Sequence, residues 1–337
     1  MKSDIILLGH GSGGTLSHQL LDEIIIPALS DVAQRDQNDS AVIDYKGDRL
    51  AYTTDSYVVD PLFFPGGNIG DLAINGTVND LAMAGARPLA LSVGLILEEG
   101  LPLEELKTIL TSMRNAAEHA GVRIVTGDTK VVPRGKADKV FINTSGIGVF
   151  DHPLDIRGSG ARLGDKVLIN GTVGNHGMAV LASREGLELQ SDICSDSAAL
   201  GALTADLLKT HGEAVHVLRD PTRGGVATTL KEIARQSKAD ITLTEPQIPV
   251  DEAVGSACAI LGLDPLFVAN EGKMLAVVAA EAAEGILQTM RSHPEGHQAA
   301  IIGEVSGQSS GKVFMRTAIG GLRAIEMLAG EQLPRIC

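Results

Sequence analysis

Residues 68–85 read NIGDLAINGTVNDLAMAG, and the fold turns on them. Ile69, Leu72, Ala73, Val78, Leu81, Ala82 and Met83 recur at helical spacing, which predicts a long helix from Asn68 to Gly85. Two polar residues, Asn79 and Asp80, sit among these apolar neighbours. Burying a carboxylate on such a helix is costly unless something pairs with it. Asp80 is therefore expected to face a site rather than a plain core.

On either side of this helix the pattern changes period. Arg49–Thr54 reads as a strand ending in Thr53-Thr54-Asp55-Ser56, and Leu89–Leu97 as a strand of the buried type. Leu103–Ala120 is a periodic helix closed by Gly121. Arg123–Thr126 is a strand running into a turn, Gly127-Asp128-Thr129-Lys130, and Val140–Val149 is another strand. The order β-α-β-α-β-β predicts a mixed sheet covered by helices, an α+β arrangement. Upstream, Ile5–Leu8 reads as a short strand before the loop Gly9-His10-Gly11-Ser12-Gly13-Gly14, and Thr15 can cap a helix bearing Leu16, Leu20, Leu21, Ile24 and Ile25.

Near Asp151-His152-Pro153 the pattern restarts. Lys166–Gly171 is a strand, His176–Arg184 and Ser197–His211 are helices, and strand Ala214–Leu218 leads into Asp220-Pro221-Thr222-Arg223-Gly224-Gly225. A helix to Gln236 and strand Ile241–Thr244 follow, then helix Asp251–Leu261 and strands Leu266–Ala269 and Met274–Ala279. Helix Ala280–Ser292 and strands Ala300–Val305 and Lys312–Arg316 complete this half. The expected division is a first domain over 1–155, a second over 156–329 and a flexible tail over 330–337.

Composition narrows the function. The 337 residues suit two domains, and 42 acidic against 28 basic residues leave a net charge of −14, which argues against nucleic acid and anionic membrane as partners. Cys194, Cys258 and Cys337 lie far apart, with no zinc spacing and no even disulfide framework, so reduced cytoplasm is the expected compartment. The apolar run Ile5–Leu8 is too short for a secretory signal, and no run approaches a membrane span.

Asp55, Asp128 and Asp220 are each placed at a strand end, where open sheets present ligands, and Asp80 joins them from its helix. Scattered carboxylates without Cys or His suit a hard cation such as Mg2+, which commonly arrives with nucleotide phosphates. Taken singly, each aspartate is an ordinary turn or cap residue. No Walker A loop is present, because Gly307-Gln308-Ser309-Ser310-Gly311-Lys312-Val313 is one residue short and lacks Ser/Thr after lysine. Arg223-Gly224-Gly225 opening a helix can supply a guanidinium and free N–H groups to phosphate, or can be a plain tight turn. Gly9, Gly11 and Gly14 match a dinucleotide fingerprint, but Asp31 and Asp36 lie in a polar connector and Asp44 comes too late. A glycine flap over phosphates fits better. Lys130, and Glu271 in Asn270-Glu271-Gly272, are charged residues in turns between apolar strands, where a surface role is the default.

The chain ends Leu333-Pro334-Arg335-Ile336-Cys337. Leu322, Ile325, Met327 and Leu328 predict a last helix, which Gly330 and Pro334 terminate. A thiol on a short arm is a carrier's geometry, although a terminal cysteine can also be incidental.

These pieces in this order resemble the HypE family of hydrogenase maturation factors, within the superfamily of AIR synthetase (PurM), selenophosphate synthetase and thiamine-monophosphate kinase. The resemblance rests on Gly9–Gly14, Thr53–Phe64, Pro65–Asp71, Gly76–Gly85, Gly127–Val132, Asp220–Gly225, Asn270–Gly272 and the final Pro334–Cys337, and it covers essentially the whole chain. The aspartate motifs are common to the superfamily, whereas the terminal Pro-Arg-Ile-Cys is particular to HypE. The resemblance implies a two-domain PurM-like architecture and a homodimer formed through the N-terminal domains. It implies ATP and Mg2+ held by Asp55, Asp80, Asp128 and Asp220, with Asn79, Arg223, Gly224 and Gly225 also on the nucleotide. It further implies that HypF carbamoylates Cys337, and that the chain dehydrates this carboxamide to a thiocyanate. Glu271 would act as base and Lys130 would stabilise charge. The cyanide would pass to iron on a HypC–HypD complex. The residues alone leave three alternatives open: a small-molecule kinase or synthetase, a non-catalytic carrier, and a nicotinamide oxidoreductase.

Overall fold

The computed structural model describes residues 5–29, 38–185, 193–307, 310–328 and 335–337. In the first domain α1 (Thr15–Leu20) passes through a π turn at Leu21–Ile25 into α2 (Ile26–Leu29). Then come β1 (Ala41–Tyr45), β2 (Asp48–Tyr57), the small hairpin β3 (Phe63–Phe64) and β4 (Gly67–Asn68), and α3 (Ile69–Met83). β5 (Arg87–Glu98), α4 (Leu103–His119), β6 (Arg123–Val132) and β7 (Val140–Val149) follow. The sheet order is β1-β2-β7-β5-β6, antiparallel except for the parallel pair β5 and β6.

Helix α3 begins where the sequence placed it, for a local reason. Asn68 accepts a hydrogen bond from the Gly70 N–H at 2.8 Å, and Asp71 accepts one from the Asn68 N–H at 2.7 Å, closing a capping box. The helix is buried on two sides. Leu72, Ile74 and Val78 enter the first domain's core, while Ala82 and Met83 pack into the core of the second.

The second domain carries β8 (Lys166–Ile169), α5 (Asn175–Glu185), α6 (Gly201–His211), β9 (Val215–Arg219), α7 (Gly225–Ser237) and β10 (Asp240–Thr244). α8 (Glu252–Leu261), β11 (Leu275–Val278), α9 (Ala283–Arg291), β12 (Ala300–Gly307), β13 (Val313–Arg316) and β14 (Leu322–Ile325) complete it. Its sheet order is β14-β13-β10-β12-β8-β11-β9. On β8, Val167 and Ile169 pack with α7 on one face, and Leu168 packs with α6 and α9 on the other. The first sheet is covered on one face only. The chain is thus a two-domain α+β protein, as the element order predicted.

Several expectations are corrected. β5 is not buried throughout: Leu91 and Val93 are buried, but Leu89 and Ile96 are exposed, because no helix among the described residues covers the outer face. The strand beginning at Arg123 does not turn at Gly127; it continues to Val132. A Cβ at Gly127 would run into the Val93 carbonyl, so this glycine permits close strand approach rather than a turn. Asp55 likewise lies within β2. Ile5–Leu8 forms no strand; Leu8–Gly11 is a 3-10 turn, with the Leu7 N–H bonded to the His10 ring at 2.9 Å. Residues 197–200 are not helical, since the Leu200 N–H and the Ala198 carbonyl are both taken by the Asn79 amide. Leu266–Ala269 is not a strand; Asp264 caps a 3-10 turn at Pro265–Phe267. The expected last helix is β14, which pairs antiparallel with the open edge of β13 after a turn at Thr317–Gly321. Asp31, Asp36, Gln308 and Ser309 lie outside the described residues, as do residues 330–334 of the expected tail.

Leu72 is fully buried in α3. Leu72→Ala is expected to cost about 2–5 kcal/mol by loss of burial and cavity formation, measured by chemical denaturation.

Candidate active site at the domain seam

Three aspartates from different elements meet where α3 crosses the seam. Asp80 of α3 accepts a hydrogen bond from the Thr53 hydroxyl of β2 at 2.7 Å. Asp55, two residues further along β2 and on the same face, accepts one from the Tyr57 hydroxyl at 3.1 Å. Asp220 directly follows β9 and is buried. Burial pushes the Asp80 carboxyl well above its ordinary range, and repulsion from Asp55, Asp220 and Asp39 adds to it. Asp220 is raised for the same reasons, by burial and then by Asp39. Asp39 is raised to about 6, chiefly by burial, although Arg219 contacts it at 2.7 Å. Arg219 also holds Glu232 at 2.7 Å, so its charge is shared.

Arg223 stands on the opposite wall. Its guanidinium donates to the Gly11 carbonyl of the glycine loop at 3.1 Å, and the Thr15 N–H bonds the Leu328 carbonyl at 3.0 Å. The loop therefore closes over Arg223 as a flap. Gly224 and Gly225 have φ of +76° and +61°, and a Cβ on Gly225 would strike the carbonyls of Leu266 and Val268. This conformation, open only to glycine at such closeness, aims the N-terminal N–H groups of α7 at the seam. Two cavities, of about 230 and about 320 Å³, share Gly11 and Arg223 as walls.

Glu271 is 4% exposed, and its Oε1 has no hydrogen-bond partner among the described residues. Burial raises its carboxyl well above the usual range, with repulsion from Asp220, Asp55 and Asp196 adding and Arg223 opposing. Its backbone is fixed: the N–H donates to Asp196 at 3.2 Å, and the carbonyl accepts from the Asn79 amide at 3.2 Å. Lys273 pairs with Asp196 at 3.1 Å behind it.

The chain terminus is docked into this site. The Val58 N–H bonds the Cys337 carbonyl at 3.0 Å, and buried Ile336 joins the first domain's core. Cys337 lines the smaller cavity beside Arg223. Burial pushes its thiol up to about 12; Arg223 opposes this, while Glu271 and Asp55 add to it. Cys337, Glu271, Asp55 and Arg223 thus form one electrostatic cluster.

Asp128 and Lys130 are not part of it within one chain. Asp55 shares its cross-strand row with Thr144, Val93 and Gly127, whereas Asp128 pairs with Gly94 on the outer face of the sheet. Asp128 and Lys130 pair with each other at 2.5 Å there, both well exposed. Asn79 is close by but fully engaged, tying α3 to Ala198, Leu200 and Glu271. Sequence reading missed Asp39, Arg219 and Asp196. Asp39 stands just before β1 in a polar stretch with no pattern, and Asp196 shares no motif with Glu271.

The site fits a divalent cation in its chemistry. Asp220 is buried and Asp55 and Asp80 are half-buried; desolvation raises all three carboxyls, and they supply only oxygen. Among the described residues no three such groups converge closely enough to be a finished coordination shell. Oxygens brought by a nucleotide would complete one.

Two mixed-sheet domains, meeting at buried aspartates beneath a glycine flap, define the class. The family model for AIR synthase related protein, N-terminal domain, matches residues 37–150, and that for the C-terminal domain matches 162–316. The carbamoyl dehydratase HypE of Cupriavidus necator is 53% identical over 338 aligned residues, covering 100% of this chain and 96% of that protein. A crystal structure of HypE in complex with ATP superposes with a TM-score of 0.83 at 50% identity, covering 99% of this chain and 100% of that one. HypE from a HypE–HypF complex superposes with a TM-score of 0.87 at 48% identity, covering 92% and 99%. The chain belongs to the HypE family of carbamoyl dehydratases. No helix among the described residues is long and apolar enough to cross a membrane.

A pH dependence follows from the buried carboxyls. The ordinary values are 3.8 for aspartate and 4.5 for glutamate, and Asp39, Asp80, Asp220 and Glu271 all lie higher in the fold. Such groups stabilise fully below the unfolded value, and that stability is lost as pH rises through the folded one, about 6 for Asp39. Melting temperature in the absence of divalent cation is expected to fall from pH 5 to pH 8. Asp80→Asn should flatten that fall and raise the value at pH 8 by roughly 2–4 °C.

Proposed function

We propose that this chain uses ATP to dehydrate a carboxamide carried on the sulfur of its own Cys337, giving a thiocyanate that becomes the cyanide ligand of iron in nickel–iron hydrogenase maturation. The observation that carries this reading is the docked terminus, with half-buried Cys337 lining a cavity beside Arg223 and within the electrostatic reach of Glu271 and Asp55.

Amide oxygen leaves poorly, so ATP supplies a phosphoryl group to that oxygen; Asp55, Asp80 and Asp220 would hold a Mg2+, which would neutralise phosphate charge. Arg223 and the Gly224 N–H hold phosphate oxygens, while Gly225, its own N–H bonded to the Thr222 carbonyl at 3.0 Å, shapes the turn and the flap excludes water. As the C–O bond breaks with phosphate leaving, the nitrogen gives up its protons and the C≡N bond forms. Glu271 is the acceptor for a nitrogen proton. Repulsion from Asp220 and Asp55 adds to the burial that raises the Glu271 carboxyl, and that part disappears once those carboxylates are neutralised. The burial of Glu271 and an Oε1 without a hydrogen-bond partner among the described residues support this role.

Lys130 and Asp128 enter the reading through a second copy. β6 is an open sheet edge with Ile124, Val125 and Val131 exposed, an arrangement that invites pairing. A homodimer built on this bare sheet face would bring one copy's Lys130 and Asp128 toward the other's cleft. HypF is the proposed carbamoyl donor, since a HypE 48% identical to this chain forms a complex with it. A HypC–HypD complex is the proposed acceptor of cyanide, and the cytoplasm the proposed compartment.

Glu271→Gln is expected to fold and to be carbamoylated by HypF, then to stall as the carboxamide. Loss of a general base should slow nitrile formation by about 10² to 10⁴, read by intact-protein mass spectrometry with HypF, carbamoyl phosphate and ATP. Nitrile at the parent rate would place the base elsewhere. Cys337→Ser should accept no stable product in the same assay.

Subunit mixing checks the dimer reading. Lys130→Ala and Glu271→Gln proteins should each be inactive alone. Mixed and re-equilibrated, they should regain up to about a quarter of parental activity, because half of the dimers are mixed and each has one intact site. No recovery would return Lys130 to its own chain's site or remove it from catalysis.

A further inference from the structure

The terminus is held by contacts that avoid its sulfur. Arg335 donates from Nε to the Val58 carbonyl at 3.0 Å, and its guanidinium forms an ion pair with Asp138. The Arg335 carbonyl accepts from the Asp60 N–H at 3.4 Å and from Arg184 at 2.7 Å. Arg184 also donates to the Asp60 carbonyl at 2.7 Å, bridging tail and seat. His176 is fully buried, and its Nε2 donates to the Ile336 carbonyl at 2.9 Å. Its Nδ1 accepts from the Ser195 hydroxyl at 2.8 Å, which fixes that tautomer. Burial holds this ring neutral, with Asp196 as the nearest opposing charge.

These groups are organised in advance. Asp138 sits in the turn between β6 and β7, which Glu98 pins by accepting from the Lys139 N–H at 3.0 Å and from the Gly135 N–H. Arg335 is held at φ +52°, a left-handed conformation that arginine adopts only when surrounding contacts compensate. The contacts read the backbone of residues 335–337, the Arg335 side chain and the buried Ile336 side chain.

We infer that Asp138, Arg184 and His176 form a latch that sets how Cys337 divides between the enclosed and external positions, whatever group the sulfur bears. The inference rests on the reading that Cys337 carries the substrate. Asp138 and its companions are positioning residues, acting through the tail. Weakening the latch has opposite effects on two half-reactions: loading of the sulfur from outside speeds up, and dehydration inside slows down. A simple loss of folding would slow both.

The test uses the full chain and Asp138→Asn, a substitution on a half-exposed side chain that leaves the core untouched. Alkylation of Cys337 by iodoacetamide is followed by mass spectrometry of the C-terminal peptide. The rate should rise roughly twofold to fivefold, the weight of a half-exposed ion pair. Asp138→Glu, which restores the charge, should return it toward the parent. In parallel, carbamoylated Asp138→Asn should form nitrile more slowly than the parent. Alkylation unchanged in Asp138→Asn, or unrestored in Asp138→Glu, overturns the latch. Failure of the parent itself to form nitrile overturns the proposed dehydration instead, and the alkylation rates then decide the latch alone.

Discussion

Like charges buried at the domain seam are the constraint around which this molecule is arranged. Desolvation raises the carboxyls of Asp55, Asp80 and Asp220, and Asp55, Asp220 and Asp39 raise Asp80 further, while Asp220 and Asp55 do the same to Glu271. Arg219 answers only part of that charge, being shared between Asp39 and Glu232. A fold carrying such a cluster gives up stability at neutral pH for a place where positive charge is strongly welcomed. The price is local, because each carboxylate is delivered by a different rigid element.

Helix α3 makes that delivery possible. Its buried surface is divided between two domains, which buries Asn75, Thr77 and Asn79 and leaves Asp80 half-buried. Asn79 takes the backbone groups of residues 198, 200 and 271 and thereby sets the second domain against the first. Asp80, its neighbour, is turned instead to Thr53 and the other aspartates. One polar residue is spent on assembly and the next on chemistry.

The docked terminus adds a reactive atom to this fixed frame. Ile336 joins an apolar core, and Cys337 lies beside the Arg223 guanidinium, which also faces Asp55 and Glu271. The thiol itself is held neutral there by burial, so the enclosed position suits chemistry on a substituted sulfur better than fresh attack by a thiolate. The capture of tail backbone by His176 and Arg184 is consistent with a seat indifferent to what the sulfur carries.

Periodicity alone placed α3, α4, β7 and most of the second domain to within a residue or two, because those segments bury one consistent face. The terminal cysteine and the aspartate motifs were likewise legible as chemistry. Elements decided by pairing were not. Gly127 and the run 322–328 read as a turn and a helix, yet both became strand because an open sheet edge was available to satisfy their backbone groups. The same strand alternation put Asp128 and Lys130 on the opposite sheet face from Asp55, a fact of register that residue types cannot reveal. Asp39, Asp196, His176 and Asp138 acquire meaning only from partners 75 or more residues away in sequence: Arg219, Glu271, Ile336 and Arg335. The sequence by itself determined which groups could do chemistry; only the tertiary structure decided which of them share a face, because burial and strand register are properties of contacts and not of residues.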